Sequence, residues 1–354
     1  MKIKVLEKRP VYILTGLILF TVLLFSVLIG VTIGSVHIPV SDVYAVILHH
    51  ILPSSTHLYF EKGAVHDIVW LLRLPRIILA ATVGMGLAVC GVIMQAVIKN
   101  PLADPYILGI SSGASLGATL AILWNIGVSL GTNYIGICAF LGALLLSLAV
   151  LFISNIGGRS SPVKLLLSGM ALSSVCSAFS GFIMFFTNNK EGIQNIIYWL
   201  MGSLAGAKWD GIAVIFPIVL LAVLFFWTQS RILNLMLLGD EVSITLGTDL
   251  HVYRQGYLVI TALIVGFVVY SAGMIGFVGL LIPHIVRMFF GTDHKKLIPV
   301  SALAGGIFLI WADVLCRTII PRTELPVGIL ISIIGAPFFV YLMIKKTYRF
   351  GGSN

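Results

Sequence analysis

Ten stretches of the chain are almost continuously apolar: 11–36, 74–98, 106–124, 134–156, 164–187, 211–230, 256–272, 275–290, 297–316 and 326–344. About 20 apolar residues wound as a helix cross the hydrocarbon of a bilayer. The pattern therefore predicts an all-α polytopic membrane protein with about ten transmembrane helices in one domain, 1–354. The third and eighth stretches are short or interrupted. The first follows the basic segment MKIKVLEKR, exceeds the apolar core of a signal peptide and lacks an A-x-A site after it, so it reads as a retained span. Between the first two spans lies a polar stretch from Ser41 to Asp67 that carries His49, His50, His57 and His66. Their irregular spacing does not make a metal site.

The stretch 273–299, GMIGFVGLLIPHIVRMFFGTDHKKLIP, combines a lipid-compatible helix with glycines and Pro283. Such breaks free backbone groups that only protein or a water-lined cavity can satisfy at membrane depth. Either the kink serves packing alone or it is a moving joint of a transport path; His284 beside it is assigned a structural hydrogen bond. Gly273, Pro283 and Gly291 are spaced by ten and eight residues, as are Gly91, Pro101 and Gly109. The two sets lie five spans apart, an odd number, so a repeat relating spans 2–5 to spans 7–10 must have inverted topology, a recurring transporter design. Pro101, Gly109, Pro283 and Gly291 are the expected helix breaks. Small residues four apart (Ala80, Gly84 and Ala88; Gly113 and Gly117; Gly202 and Gly206) suit close helix packing in lipid.

Composition narrows the class. The 354 residues are 59% hydrophobic and 10% charged, with a mean hydropathy of +1.08, whereas a soluble domain carries about 25% charged residues. The net charge of +9 would point to nucleic acid in a soluble protein. Here the charges sit in short loops, and no nucleic-acid partner is expected. With the N-terminus inside, fifteen lysines and arginines fall at inner ends and seven at outer ends, which places both termini in the cytoplasm. Cys90, Cys138, Cys176 and Cys316 lie in apolar segments without a CxxC pair, so they read as packing residues, with no metal or cofactor implied.

Three polar features carry candidate chemistry. LLGDEVSITLGTDLHVYR (237–254) is too polar to span; it suits one or two short amphipathic helices split at Gly247 and presents a docking surface to a soluble partner. At the outer edge, Arg73, Arg76, Arg317 and Arg322 either snorkel to headgroups or offer planar forks to carboxylates on another protein. Gly109-Ile-Ser111-Ser-Gly113 fits G-x-S-x-G, but no strand precedes it as a nucleophile elbow requires, so a hydrolase is disfavoured. No G-x-x-x-x-G-K-[ST] sequence is present, so an ATP-driven process needs its motor on another polypeptide. An ion-coupled secondary transporter is the alternative of another class. It would place ionisable residues near the midplane, where these spans carry almost none.

QAVIKNPLADPYILGISSGASLGA (95–118), the 273–299 stretch and ELPVGILISIIGAPFFVYLM (324–343) resemble the signature blocks of the FecCD family, and LRLPR (72–76) and LLGDEVSITLG (237–247) fit in the same order. These are permeases of type II ABC importers for iron-siderophore complexes, haem and cobalamin in the bacterial cytoplasmic membrane. The resemblance implies a ten-span permease and no enzyme. It pairs with a second permease copy, an identical one being preferred to a related one. Two cytoplasmic ATPase subunits and an extracytoplasmic binding protein complete the importer, and a metal chelate, a ferric siderophore before cobalamin or haem, is the cargo. By motif position, Arg73, Arg76 and Arg317 would dock the binding protein. Leu238, Gly239, Asp240, Glu241, Leu246 and Gly247, within a coupling segment 238–250, would engage the ATPase. Asn100, Leu102, Ser161 and Pro162 would narrow the path at the cytoplasmic side, and spans five and ten would line it.

Overall fold

The computed structural model describes residues 9–34, 36–51, 63–156, 158–320 and 323–345. Lys2, Lys4, Lys8, Lys346 and Arg349, part of the basis of the predicted orientation, and His57, Lys62 and Arg322, lie outside them. The described residues fold as helices: α1 (Arg9–Thr32), α2 (Val40–Ile51), α3 (Ala64–His66), a π-helical turn (Asp67–Arg73), α4 (Leu74–Ile98), α5 (Ile110–Trp124), α6 (Tyr134–Asn155), α7 (Pro162–Phe186), α8 (Lys190–Leu200), α9 (Trp209–Thr228), α10 (Ser230–Leu238), α11 (Asp240–Thr245), α12 (Leu250–Ala272), α13 (Val278–Phe290), α14 (His294–Thr318) and α15 (Val327–Lys345). No strand occurs among them. Seven helical stretches are long and apolar enough to cross a membrane, and α5, α13 and most of α15 are shorter apolar helices. The ten predicted spans thus map onto α1, α4, α5, α6, α7, α9, α12, α13, α14 and α15. The α2 helix is a further apolar element that the polar reading of 41–67 did not foresee.

Helix α4 is the centre of the molecule. It is apolar on every face, as a helix surrounded by other helices must be, and 89% of its most apolar window is buried, against 17% for α1. Close backbone approach explains how so many neighbours reach it. A Cβ on Gly84 would stand 2.2 Å from the Gly305 carbonyl oxygen of α14, and one on Gly91 1.8 Å from the Gly279 carbonyl oxygen of α13. Only hydrogens leave room for such crossings. The entry to α4 is set by Pro75, which has no N–H for the carbonyl of Leu71; the residues before it are wound wider, and the N–H of Leu74 reaches the Val69 carbonyl.

One expected break is corrected. Pro101 and Gly109 (φ +81) lie in the connection between α4 and α5, and Gly291 (φ +75) ends α13, but Pro283 sits inside α13 without interrupting it. A proline in a helix leaves the carbonyl four residues back without its N–H. That carbonyl belongs to Gly279, the atom that faces Gly91, so Pro283 serves the α4–α13 crossing. The break preceding α13 is at 273–277, between Gly273 (φ +67) and Phe277 (φ +65). The ten-and-eight spacing consequently falls on unlike places, since Gly91 is inside a helix and Gly273 ends one. The recurring pattern is a long helix, a broken connection and a short helix: α4, 99–109, α5 and α12, 273–277, α13.

Candidate functional site

At one end of α4 its last turn closes on Lys99 in the left-handed conformation (φ +55), and the chain turns through Asn100, Pro101 and Leu102. The Asn100 side chain accepts from the Leu102 N–H at 2.9 Å and stiffens the turn. Asp104 then caps the turn Pro105–Leu108, accepting from the Tyr106 N–H at 2.8 Å. At the same end Ser161 caps α7, accepting from the Lys164 N–H, with Pro162 as its first residue. Proline is suited to that position, where an N–H would be unsatisfied anyway.

The 238–250 segment lies beside both turns. Its break falls at Gly239 (φ +104), between α10 and α11, while Gly247 (φ +82) sits in the turn after α11. The expected split at Gly247 thus falls between α11 and α12, and a second break that the sequence reading did not place, at Gly239, separates α10 from α11. Asp240 opens α11. Its Oδ1 accepts from Lys99 Nζ at 3.1 Å and from Arg254 Nη2 at 2.6 Å. Burial alone would raise this carboxyl, but the bonds from Arg254 and Lys99 outweigh it and hold the group below the usual carboxylate range. Glu241 is exposed, and Leu238, Val242, Ile244 and Leu246 are 59%, 43%, 56% and 61% exposed on a segment outside the spans. These apolar side chains are thus exposed on a short polar segment.

A cavity of about 630 Å³ opens between the two broken connections. Asp104, Tyr106 and Ser111 line it from the first, Met274 and Phe277 from the second, and Gly328 and Ser332 from α15. Its wall is pinned by backbone bonds from Ser203 to Ala272 (2.9 Å) and from Gly328 to Met201 (3.1 Å). Phe277 (φ +65) holds a backbone conformation that is an outlier for a bulky residue. Ser111 lies in the first turn of α5, behind a 3-10 turn, so the nucleophile elbow is absent. Of the two helices expected to line a path, α15 contributes to this cavity; α7 backs it, since a Cβ at Gly109 would stand 2.9 Å from Ser173 Oγ.

At the other end of α4 the three arginines come together, but buried, with 5%, 8% and 7% exposure for Arg73, Arg76 and Arg317. Arg76 donates to Asp313 (2.8 Å) and Glu324 (2.8 Å), and Arg317 Nε stands 3.1 Å from the other oxygen of Asp313. Arg317 also reaches the carbonyls of Gly30 and Ile33, and Arg73 those of Val31, Thr32 and Val36. The last carbonyls of a helix have no partner within it, and here guanidinium groups supply one for α1. The expected exposed docking set is therefore corrected to an internal knot: unpaired charges at this depth would cost several kcal/mol each, and the chain provides their partners itself. His284, 3% exposed, is packed inside α13.

Lys99, Arg254, Asp313, Glu324 and Asp104 are the members sequence reasoning missed. Charge within apolar surroundings was the available signal for Asp313. Nothing local marks Phe277, because its backbone is imposed by packing.

The profile of the FecCD transport family matches residues 22–345. The chain is 38% identical over 336 residues, 94% of each chain, to the uncharacterized ABC transporter permease protein YvrB of Bacillus subtilis. It is 41% identical to the cobalamin import system permease protein BtuC of Halobacterium salinarum, over 80% of this chain and 74% of that one. To the hemin transport system permease protein HmuU of Yersinia pestis it is 38% identical, over 80% and 85%. A structure described as an inward-facing conformation of a metal-chelate type ABC transporter superposes with a TM-score of 0.78 at 29% identity, over 94% of this chain and 99% of the other.

Proposed function

The chain belongs to the FecCD transport family and is a permease of the metal-chelate, cobalamin or haem type of ABC importer, and we propose that it forms one wall of the translocation path for a ferric siderophore. The cavity between the two broken connections carries this reading. Its described lining is mostly apolar, with hydroxyls, one carboxylate and no basic side chain or imidazole. A wall of this kind offers no cationic partner to the propionates of haem. It suits a chelate that arrives with its metal already enclosed. Two copies of the chain, facing each other across such cavities, complete the path; the α11 end is cytoplasmic and receives two ATPase subunits on the 238–250 segment.

The binding protein docks at the end that carries the arginine knot. Glu324, its side chain 47% exposed, is the accessible member there, and a docking carboxylate reaches Arg76 only by displacing it. ATP-driven closure of the motor moves the 238–250 segments and opens the path alternately, with differential affinity of the binding protein for the two states driving the cycle. The test is uptake into liposomes that hold the permease with its ATPase and binding protein. Radioiron enters as a ferric siderophore in an ATP-dependent manner, and haem and cobalamin enter more slowly. Faster uptake of either competitor overturns the siderophore assignment, and uptake driven by an ion gradient without ATP overturns the importer mechanism itself.

A further inference from the structure

One carboxylate oxygen, Asp240 Oδ1, joins the exposed coupling segment to two separate connections of the fold. Along the first arm it accepts from Lys99, and five residues beyond Lys99 the chain reaches Asp104 in the cavity wall. The turn at Gly239 (φ +104) runs beside this arm, its Cα facing Lys99 Nζ. Along the second arm Asp240 accepts from Arg254, whose other terminal nitrogen donates to the Ser160 carbonyl at 3.4 Å. Ser160 immediately precedes the cap of α7, and α7 packs against the turn at Gly109, which backs the same cavity. Both arms therefore leave one atom on α11 and converge on one wall.

The two arms differ in character. Arg254 is 2% exposed, so its charge is fixed in place and depends on Asp240 for a counter-charge. Lys99 is partly exposed and flexible, and its pair yields more readily. A second link between the same regions, Arg159 to Asp249 at 3.0 Å, is exposed on both sides (67% and 50%) and is too solvated to transmit a displacement.

We propose that Asp240 is the positioning residue through which a displacement of α11 reaches the 99–104 connection and the start of α7 together, so that the cavity wall moves as one unit when the motor moves. The inference rests on the reading that the ATPase binds the 238–250 segment, and the experiment separates the two. The importer is reconstituted with its ATPase and binding protein, and single cysteines at Leu102 and Val163 report maleimide reactivity with and without ATP. Asp240→Asn, read in the fraction that co-purifies with the ATPase, loses about tenfold in uptake per ATP consumed, the size of an ordinary coupling, and removes the ATP-dependent change at both reporters. Lys99→Gln breaks one arm, so the change is lost at Leu102 and kept at Val163. A general structural defect would not produce that asymmetry. Wild-type uptake per ATP in Asp240→Asn, or equal effects of Lys99→Gln at the two reporters, overturns the proposal. Where Asp240→Asn does not assemble, the Lys99→Gln asymmetry decides alone. Retention of the ATPase by Leu246→Asp, in contrast, overturns the docking reading and not the link.

Discussion

Replacing Gly91 by alanine puts a methyl carbon 1.8 Å from the Gly279 carbonyl oxygen, 2.5 Å from its carbonyl carbon and 2.7 Å from its Cα. All three are backbone atoms, so no rotamer change relieves the contact. Non-bonded heavy atoms rest at about 3.5 Å or more, and α4 and α13 would have to part by roughly 1.7 Å. Both helices are walled in: α4 is buried along its length, and Val278 to His284 of α13 are buried too. Overpacking of this kind costs about 3 kcal/mol, the upper end of the ordinary range. Alanine returns about 1 kcal/mol of helix propensity, which leaves a net loss of about 2 kcal/mol. A loss of that size changes a folding equilibrium by about thirtyfold. The assay is the half-life at fixed temperature of the detergent-solubilised protein, read as the monodisperse fraction on size exclusion. Gly181→Ala is the control, because no atom lies within 4 Å of its Cβ; it should match the parent or outlast it. If Gly91→Ala survives as long as Gly181→Ala, the account of the α4–α13 crossing is wrong.

Asp313→Asn leaves Arg76 and Arg317 buried beside a neutral amide, and a loss of about 3–5 kcal/mol should appear as poor yield and early thermal inactivation. Glu324→Gln, at an exposed partner, should cost under about 1 kcal/mol in the same thermal assay. Leu246→Asp puts a charge in the exposed apolar face of the coupling segment and should abolish co-purification of the ATPase without changing the permease's own elution. Because the Asp240 carboxyl is held below its usual range, its stabilising pairs are complete above the unfolded-state value, about 3.9, and fail only as pH drops through the lower folded one. Uptake per ATP should thus be flat between about pH 5 and 8, and a loss with a midpoint inside that window would contradict the charge state assigned to the link.

The membrane class, the approximate places of the apolar helices and the polar 238–250 segment were legible because each depends on local composition. An apolar run has few alternatives to a helix in lipid, and Asp240 and Glu241 cannot be buried there alone. Pro283 shows the limit of that reading. Its residue type predicts a freed carbonyl, but whether the helix breaks depends on what faces that carbonyl, and Gly91 is distant in sequence. The arginines show it again: Arg73, Arg76 and Arg317 announce an edge of the membrane, while Asp313, Glu324 and the end of α1 decide whether they face a partner or the interior.

By itself, then, the sequence determined that this chain lives in a bilayer, roughly where its apolar helices run and, through its ordered motifs, which family of permeases it resembles. Only the tertiary structure decided that Lys99, Asp240 and Arg254 meet, that 273–277 is the second broken connection and that the two broken connections enclose one cavity. Partition into lipid is a sum over neighbouring residues and can be read along the chain. Pairing of charges and closeness of backbones are products of helices far apart in sequence, fixed only when α4 is surrounded.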